Sequence, residues 1–319
     1  MIWKTERLDY FAQDMYEGME RALPQVWSMG YTQKNAGVLV KRTPTPERFS
    51  IIISGGAGNG PLFPGYVGEG LADAASIGGP FSAPNAYAIY EAAKQLGSKK
   101  GVLLLYNNFA GDFLNNDMAQ ELLEQEGIPV ETVISNDDIA TALGEPRAVR
   151  NGRCGIALLI KLAAAYAKAG MELKEAAELL RYATTRLATL SLHVDFEAGE
   201  VRYGGGFSGE PPVLTHTHMN MERSVQQVMT MLLEELQPRP EETLFLLVNR
   251  LRLSSYADSY IIANLAVKEL EKHHKVAQLR VAPFSNITDN YGFDFSILCM
   301  NEETAKLMDS CITSDCFTI

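Results

Sequence analysis

The sequence is short of the features that commit a chain to nucleic acid, membrane or disulfide chemistry. Its 319 residues hold 28 lysines and arginines against 39 aspartates and glutamates, a formal net charge of −11. Phosphate backbones are bound by concentrated positive charge, so no nucleic-acid surface is expected. No long apolar run is present either. The longest candidate, Cys154–Gly170, is interrupted by Lys161 and Lys168 and is a poor membrane span. Met1–Gln25 opens with Trp3, Lys4 and Glu6 and shows no apolar segment before a small-residue cleavage site, so no secretory signal is expected. Four cysteines, Cys154, Cys299, Cys311 and Cys316, form no CxxC pair. A chain of this length needs no disulfide staple, and reduced thiols in the cytoplasm are the expectation. There is no low-complexity linker and no short internal repeat.

What is present is the composition of a globular α/β protein, 46% hydrophobic and 21% charged. Short apolar runs at Ser50–Ile53, Val102–Tyr106, Val130–Ile134, Leu244–Val248, Val276–Val281 and Phe295–Met300 read as strands. They alternate with segments of helical period: Leu8–Ala22, Ala86–Leu96, Asn116–Glu126, Gly155–Lys168, Leu173–Leu190, Met221–Leu236, Asp258–Lys272 and Glu303–Asp309. Strands separated by helices imply crossover connections, hence an α/β fold of two domains with mainly parallel or mixed sheets flanked by helices. His193–Phe196 and Val201–Tyr203 flank Glu197-Ala198-Gly199-Glu200, the pattern of a hairpin. The seam is expected there, with a first domain over residues 1–188 and a second over 189–319.

Ile51-Ile52-Ile53 runs straight into Ser54-Gly55-Gly56-Ala57-Gly58-Asn59-Gly60-Pro61. Four glycines after a buried strand let a backbone approach a ligand closely; a tight turn explains them equally well. The spacing is neither GxGxxG nor a P-loop, Pro61 and Pro64 interrupt any following helix, and no phosphate-binding lysine follows. A second strand leads into Asn107-Asn108-Phe109-Ala110-Gly111-Asp112. Ligands of open α/β sheets bind at the carboxyl ends of strands, so both loops are candidates for one crevice. Asp112 there is either a hydrogen-bond acceptor and general base or the cap of the next helix. His216 and His218 would share one strand face but have no nearby acid or cysteine ligand, so no metal site is expected.

Taken in order, these segments resemble the substrate-binding subunit of the dihydroxyacetone (glycerone) kinase family. The family's Gly-Gly-Gly-Ser-Gly-His-Glu-Pro loop matches Ser54–Pro61, and Gly-Tyr-Val-Gly matches Gly65-Tyr66-Val67-Gly68. Phe-Thr-Ser-Pro matches Phe81-Ser82-Ala83-Pro84, and Lys-Asn-Tyr-Thr-Gly-Asp matches Asn107–Asp112. Gly-Ile-His-Gly-Glu-Pro matches Gly206-Phe207-Ser208-Gly209-Glu210-Pro211, while Val248-Asn249 and Asn286–Ser296 are C-terminal landmarks. The resemblance implies two α/β domains, a homodimer, and a subunit that holds a small ketose or polyol. ATP or ADP with magnesium would sit on a partner subunit, so this chain is expected to bind no cofactor and to phosphorylate nothing alone.

The match departs from the family where its chemistry lies. Ser208 stands at the position of the histidine that captures the ketose carbonyl covalently, and an unassisted serine hydroxyl is a poor nucleophile. Asn59 stands for the second site histidine, Asn107 for a lysine and Gly60 for an acid. Asp112 is retained, matched to the family's general base. Gly55, Gly56, Asn59, Asn107, Asp112 and Ser208 are therefore expected to line one polar site between the domains. Two functions follow from the resemblance: a ketose-binding subunit of a glycerone-type kinase, or an inactive paralogue that senses a metabolite and acts on a regulatory or transcriptional partner.

Overall fold

The structure is a computed structural model that describes residues 10–23, 25–29, 36–43, 45–97, 99–205, 209–217, 220–286, 291–309, 313–314 and 317–318. Its contacts divide the chain into two compact units. The first comprises residues 1–134, 159–181 and 310–319, and the second 135–158 and 182–309. The units are thus discontinuous, unlike the two contiguous segments expected from sequence. Residues 137–155 turn their polar groups onto the second sheet, which draws them out of the first unit.

The first unit holds α1 (Phe11–Ala22), β1 (Val26–Met29), β2 (Gly37–Lys41), β3 (Ser50–Gly56), β4 (Ala74–Gly78), α2 (Ala86–Leu96), β5 (Val102–Asn107), α3 (Ala110–Gln125) and β6 (Val130–Ser135). The six strands form one sheet in the order β1-β2-β4-β3-β5-β6. β3 runs parallel to β4 on one side and to β5 on the other, so three carboxyl ends lie together. β1, β2 and β4 pair antiparallel. Val38, Val40, Ile52, Ala74, Val102 and Leu104 pack against Ala88, Ile89, Ala92 and Leu96 of α2 and Ala119 and Leu123 of α3. Each large aliphatic side chain fully buried this way contributes roughly 1.5–3 kcal/mol. Asn85 caps α2 through the Ala88 N–H, and Gly97 ends it at φ +59°, a left-handed conformation that glycine adopts without a Cβ clash.

Helices α4 (Ile156–Lys168) and α5 (Leu173–Thr185) each contribute to both units. The second unit continues with β7 (Leu187–Asp195), β8 (Glu200–Tyr203), β9 (Leu214–His216), α6 (Met221–Leu236), β10 (Thr243–Arg250), α7 (Tyr256–Leu270), β11 (Val276–Ala282), β12 (Tyr291–Met300) and α8 (Glu302–Asp309). Its sheet has the order β11-β10-β12-β7-β8-β9, parallel only between β10 and β11. Both sheets are mixed, as the fold class allowed.

Helices α2 and α6 coincide with the ranges read from their periodicity. The helix expected to run to Leu190 instead stops at Thr185, and Leu187–Asp195 is a strand. β7 lies between β12 and β8 and is buried over its first eight residues, so both of its faces demanded apolar or small side chains. β4 escaped the sequence reading because Ala74-Ala75-Ser76-Ile77-Gly78 has weak strand propensity; its small side chains are all buried in mid-sheet. Cys154 and Cys299 are free and buried, as expected of core residues, while Cys311 and Cys316 lie outside the described residues. Among the described residues no helix is long and apolar enough to cross a membrane.

Candidate ligand-binding site

The glycine loop follows β3, and its glycines serve close packing rather than unusual backbone angles. A Cβ on Gly55 would lie 1.9 Å from the Phe63 ring, and one on Gly58 would lie 2.2 Å from the Pro80 carbonyl oxygen. The loop is thereby locked onto the turn after β4. The Ala57 N–H donates to the Gly79 carbonyl (3.0 Å), and the Gly58 N–H donates to the Pro80 carbonyl (3.1 Å). These two amides are committed to protein, so they cannot also cradle a phosphate. Gly56 has only ordinary contacts with the same turn, and half-buried Asn59 closes a single helical turn over Ala57–Asn59.

The second loop is different in kind. Asn107, the last residue of β5, is 2% exposed, and both polar atoms of its carboxamide are buried with no partner among the described residues. Asp112 lies in the first turn of α3, also buried, and its Oδ1 likewise has no partner among the described residues. Burial pushes the Asp112 carboxyl up to about 7, opposed in part by a hydrogen bond from its own backbone N–H. The residue at the cap position is Phe109, which makes no side-chain cap bond, so Asp112 is not the helix cap. Burial, with the nearby Asp117 and Asp112 carboxylates, also raises the Tyr106 phenol.

Asn116, which the sequence reading missed, fixes this turn to the central strand. Its Nδ2 donates to Ser54 Oγ (2.9 Å) and to the Asp112 carbonyl (2.8 Å). The spacing i, i+4 from Asp112 places both on one helix face, a signal that was available in the sequence. Gly55, Gly56, Asn59, Asn107 and Asp112 therefore stand at the adjacent carboxyl ends of β3 and β5. Ser208 lies outside the described residues.

The second unit brings charged groups together as well, but pairs them. Arg153 is fully buried and donates to Asp294 Oδ1 (3.0 Å), Asp138 Oδ2 (2.9 Å) and the Gly205 carbonyl (3.0 Å). The other oxygen of Asp294 accepts from Asn249 Nδ2 at 2.7 Å, which joins the two C-terminal landmarks of the sequence. His193 Nε2 donates to the same Gly205 carbonyl (3.2 Å), and burial, with the nearby Arg153 charge, holds its imidazole down at about 4 and hence neutral. Two clefts of about 500 and 650 Å³ also open in this unit. His193, Arg202 and Tyr291 line one; His216, Arg223 and Gln227 line the other. None of the expected site residues lines either cleft, so volume and chemistry point to different places. The chemistry carries more weight, because at the carboxyl end of β5 a buried carboxamide and a raised carboxyl both keep polar atoms without partners among the described residues. Among the described residues no group of three His, Cys, Asp or Glu side chains could hold a metal; His218 lies outside them.

A family model for the Dak1 domain matches residues 17–315. The chain belongs to the Dak1 family. This Dak1 chain is 32% identical over 317 residues to the dihydroxyacetone-binding subunit DhaK of PTS-dependent dihydroxyacetone kinase 2 from Listeria innocua, covering 93% of this chain and 95% of that one. It is also similar to a solved structure titled for regulation of the dha operon of Lactococcus lactis, with a TM-score of 0.87, 26% identity, and 94% of each chain covered. A structure of the dihydroxyacetone kinase operon co-activator Dha-DhaQ matches at a TM-score of 0.84 and 26% identity, covering 92% of this chain and 94% of that one. The expected family and fold are both borne out by these likenesses.

Proposed function

We propose that this Dak1 chain binds a small ketose or polyol reversibly and serves as the ligand-holding partner of a separate nucleotide-binding kinase subunit. One observation carries the reading: the Asn107 carboxamide and Asp112 Oδ1 are both buried at the carboxyl end of β5 without partners among the described residues. Each buried polar group left unsatisfied costs about 1–3 kcal/mol, which a ligand hydroxyl recovers by donating to Asp112 and bonding Asn107. A neutral, hydroxyl-rich molecule fits this pair, because a carboxyl titrating near 7 accepts a hydroxyl proton or shares one. The committed amides of Ala57 and Gly58 support placing the nucleotide and its magnesium on another subunit. Likeness to a dihydroxyacetone-binding subunit supports the ligand class.

Ser208, where the resemblance implies a covalent histidine, supports non-covalent binding. Calorimetric titration with dihydroxyacetone, erythrulose and glycerol tests this directly. Expected is saturable binding of at least one of them, with no added mass after borohydride treatment. Absence of binding by all three, or a stable adduct on the 206–211 loop, overturns the proposal. A second reading, a metabolite-responsive regulator, is favoured by Ser208 together with the likeness to an operon co-activator. Titration against a nucleotide-binding kinase subunit separates them: productive phosphoryl transfer to the ligand supports the first reading alone.

A further inference from the structure

The cleft of about 500 Å³ in the second unit contains a buried imidazole that the candidate site does not use. His193, on β7, lines this cleft and is only 9% exposed. Its Nε2 bonds the Gly205 carbonyl (3.2 Å), an acceptor only, so the ring proton sits on Nε2 and Nδ1 keeps its lone pair. Nδ1 is buried and has no partner among the described residues. An acceptor held in one tautomer and left open calls for a donor from outside the chain.

The charges and rings around His193 select that donor. The carboxylates of Asp195, Glu197 and Glu210 line the cleft against one guanidinium, that of Arg202. Arg202 is held by Asp195 and Glu200, and Arg153, the other cation near His193, by Asp138 and Asp294. Neither arginine has charge to spare for an anion. Asp195 also accepts the Glu197 and Ala198 N–H groups of the hairpin turn (3.1 and 3.0 Å), and Glu210 accepts from Asn151 (2.9 Å). Glu197 is exposed, and its carboxylate makes no hydrogen bond or ion pair among the described residues. The same cleft is lined by Phe196, 62% exposed, and Tyr291, whose rings meet edge to face at 4.9 Å. The Tyr291 hydroxyl is engaged by Asp258, so the tyrosine offers its ring. Open acceptors, surplus negative charge and aromatic faces together suit a cation that carries N–H donors. We propose that this cleft binds a primary ammonium compound, whose N–H groups donate to His193 Nδ1 and the Glu197 carboxylate while its carbon skeleton lies against Phe196 and Tyr291. The inference does not rest on the proposed function, since none of the residues assigned to the ketose or polyol lines this cleft.

The test titrates the full chain near neutral pH with benzylamine and putrescine, and with their neutral counterparts benzyl alcohol and butanediol. At least one amine is expected to bind saturably, and its alcohol counterpart at least about tenfold more weakly, because the charge-assisted hydrogen bond is lost. Nitrogen NMR of histidine-labelled protein is expected to show the His193 Nδ1 resonance moving with the amine. Glu197→Gln and Phe196→Ala, both at exposed positions, are each expected to weaken amine binding severalfold, and raised salt to weaken it further. Melting temperatures and dihydroxyacetone titrations of both variants are run in parallel, so loss of the amine site is told apart from loss of fold or of the ketose site. Binding by neither amine, equal binding of amine and alcohol, an unmoved Nδ1 resonance, affinity indifferent to both variants, or displacement of the amine by dihydroxyacetone overturns the inference.

Discussion

Two buried aspartates stand at opposite ends of the parallel strands of the first sheet. Asp73, just before β4, is fully buried and ion-paired with Arg48 through two hydrogen bonds of 2.8 Å and with Lys41, and it accepts the Ile51 N–H at 2.8 Å. Asp112, after β5, has comparable burial, no cation against it in the described structure, and an oxygen without a partner. Residue type and burial are nearly the same, and only the partners differ. A buried charge whose oxygens are all engaged holds strands together, whereas one left open is available to a ligand. The Arg153–Asp138–Asp294 cluster of the second unit belongs with Asp73 on this criterion.

Breaking the paired end should have the largest effect. Asp73→Ala leaves Lys41 and Arg48 without their carboxylate in a largely buried setting and is expected to cost about 3–5 kcal/mol of stability in urea denaturation. A loss below about 1 kcal/mol would place Asp73 with the ligand-type acids instead. At the open end, Asp112→Ala is expected to spare stability yet reduce affinity for a bound polyol or ketose about tenfold or more, since a hydrogen bond to a charged group contributes about 1.5–3 kcal/mol. Ser208→Ala should cost less, because it removes only a neutral hydroxyl. Equal effects of the two substitutions in calorimetry would remove Asp112 from its central place.

The pH dependence sharpens the same contrast. The folded Asp112 carboxyl is raised from 3.8 to about 7, so between those values the native state holds a proton that the unfolded chain has released. Its contribution to stability is therefore present below about 4 and lost as pH rises through 7, on the order of 2 kcal/mol between pH 5 and 8. Urea melts of wild type and Asp112→Asn at both pH values should show the variant gaining relative stability at pH 8. Ligand hydroxyls donating to the ionised carboxylate would also make wild-type affinity increase from pH 6 to 8, a trend the variant should lack. The smallest effect concerns Asn107→Leu, which replaces an unsatisfied carboxamide by an apolar group of similar size. Stability is expected to stay level or rise by about 1 kcal/mol, while ligand affinity falls. Marked destabilisation in thermal melts would mean that the carboxamide has a structural partner after all.

Local pattern made much of this protein legible in its sequence. The aliphatic runs that became β3, β5 and β10, the periodicity that set α2 and α6, and the ordered loops that identify the Dak1 family all lie within stretches of a few to sixteen residues. The two polar loops at the strand ends were legible for the same reason. Tertiary structure alone decided which of their groups are free. The glycine-loop amides turned out to be engaged by Gly79 and Pro80, and Asn107 and Asp112 proved buried and open. Asp73 found Arg48, 25 residues away, and Ser54 found Asn116, 62 residues away. Tertiary structure also made a strand of Ala74–Gly78 and drew residues 135–158 into the second unit. Periodicity is a property of neighbours along the chain, whereas hydrogen-bond satisfaction is decided by segments that meet only after folding, and in this chain the difference between a structural acid and a ligand-binding one is of the second kind.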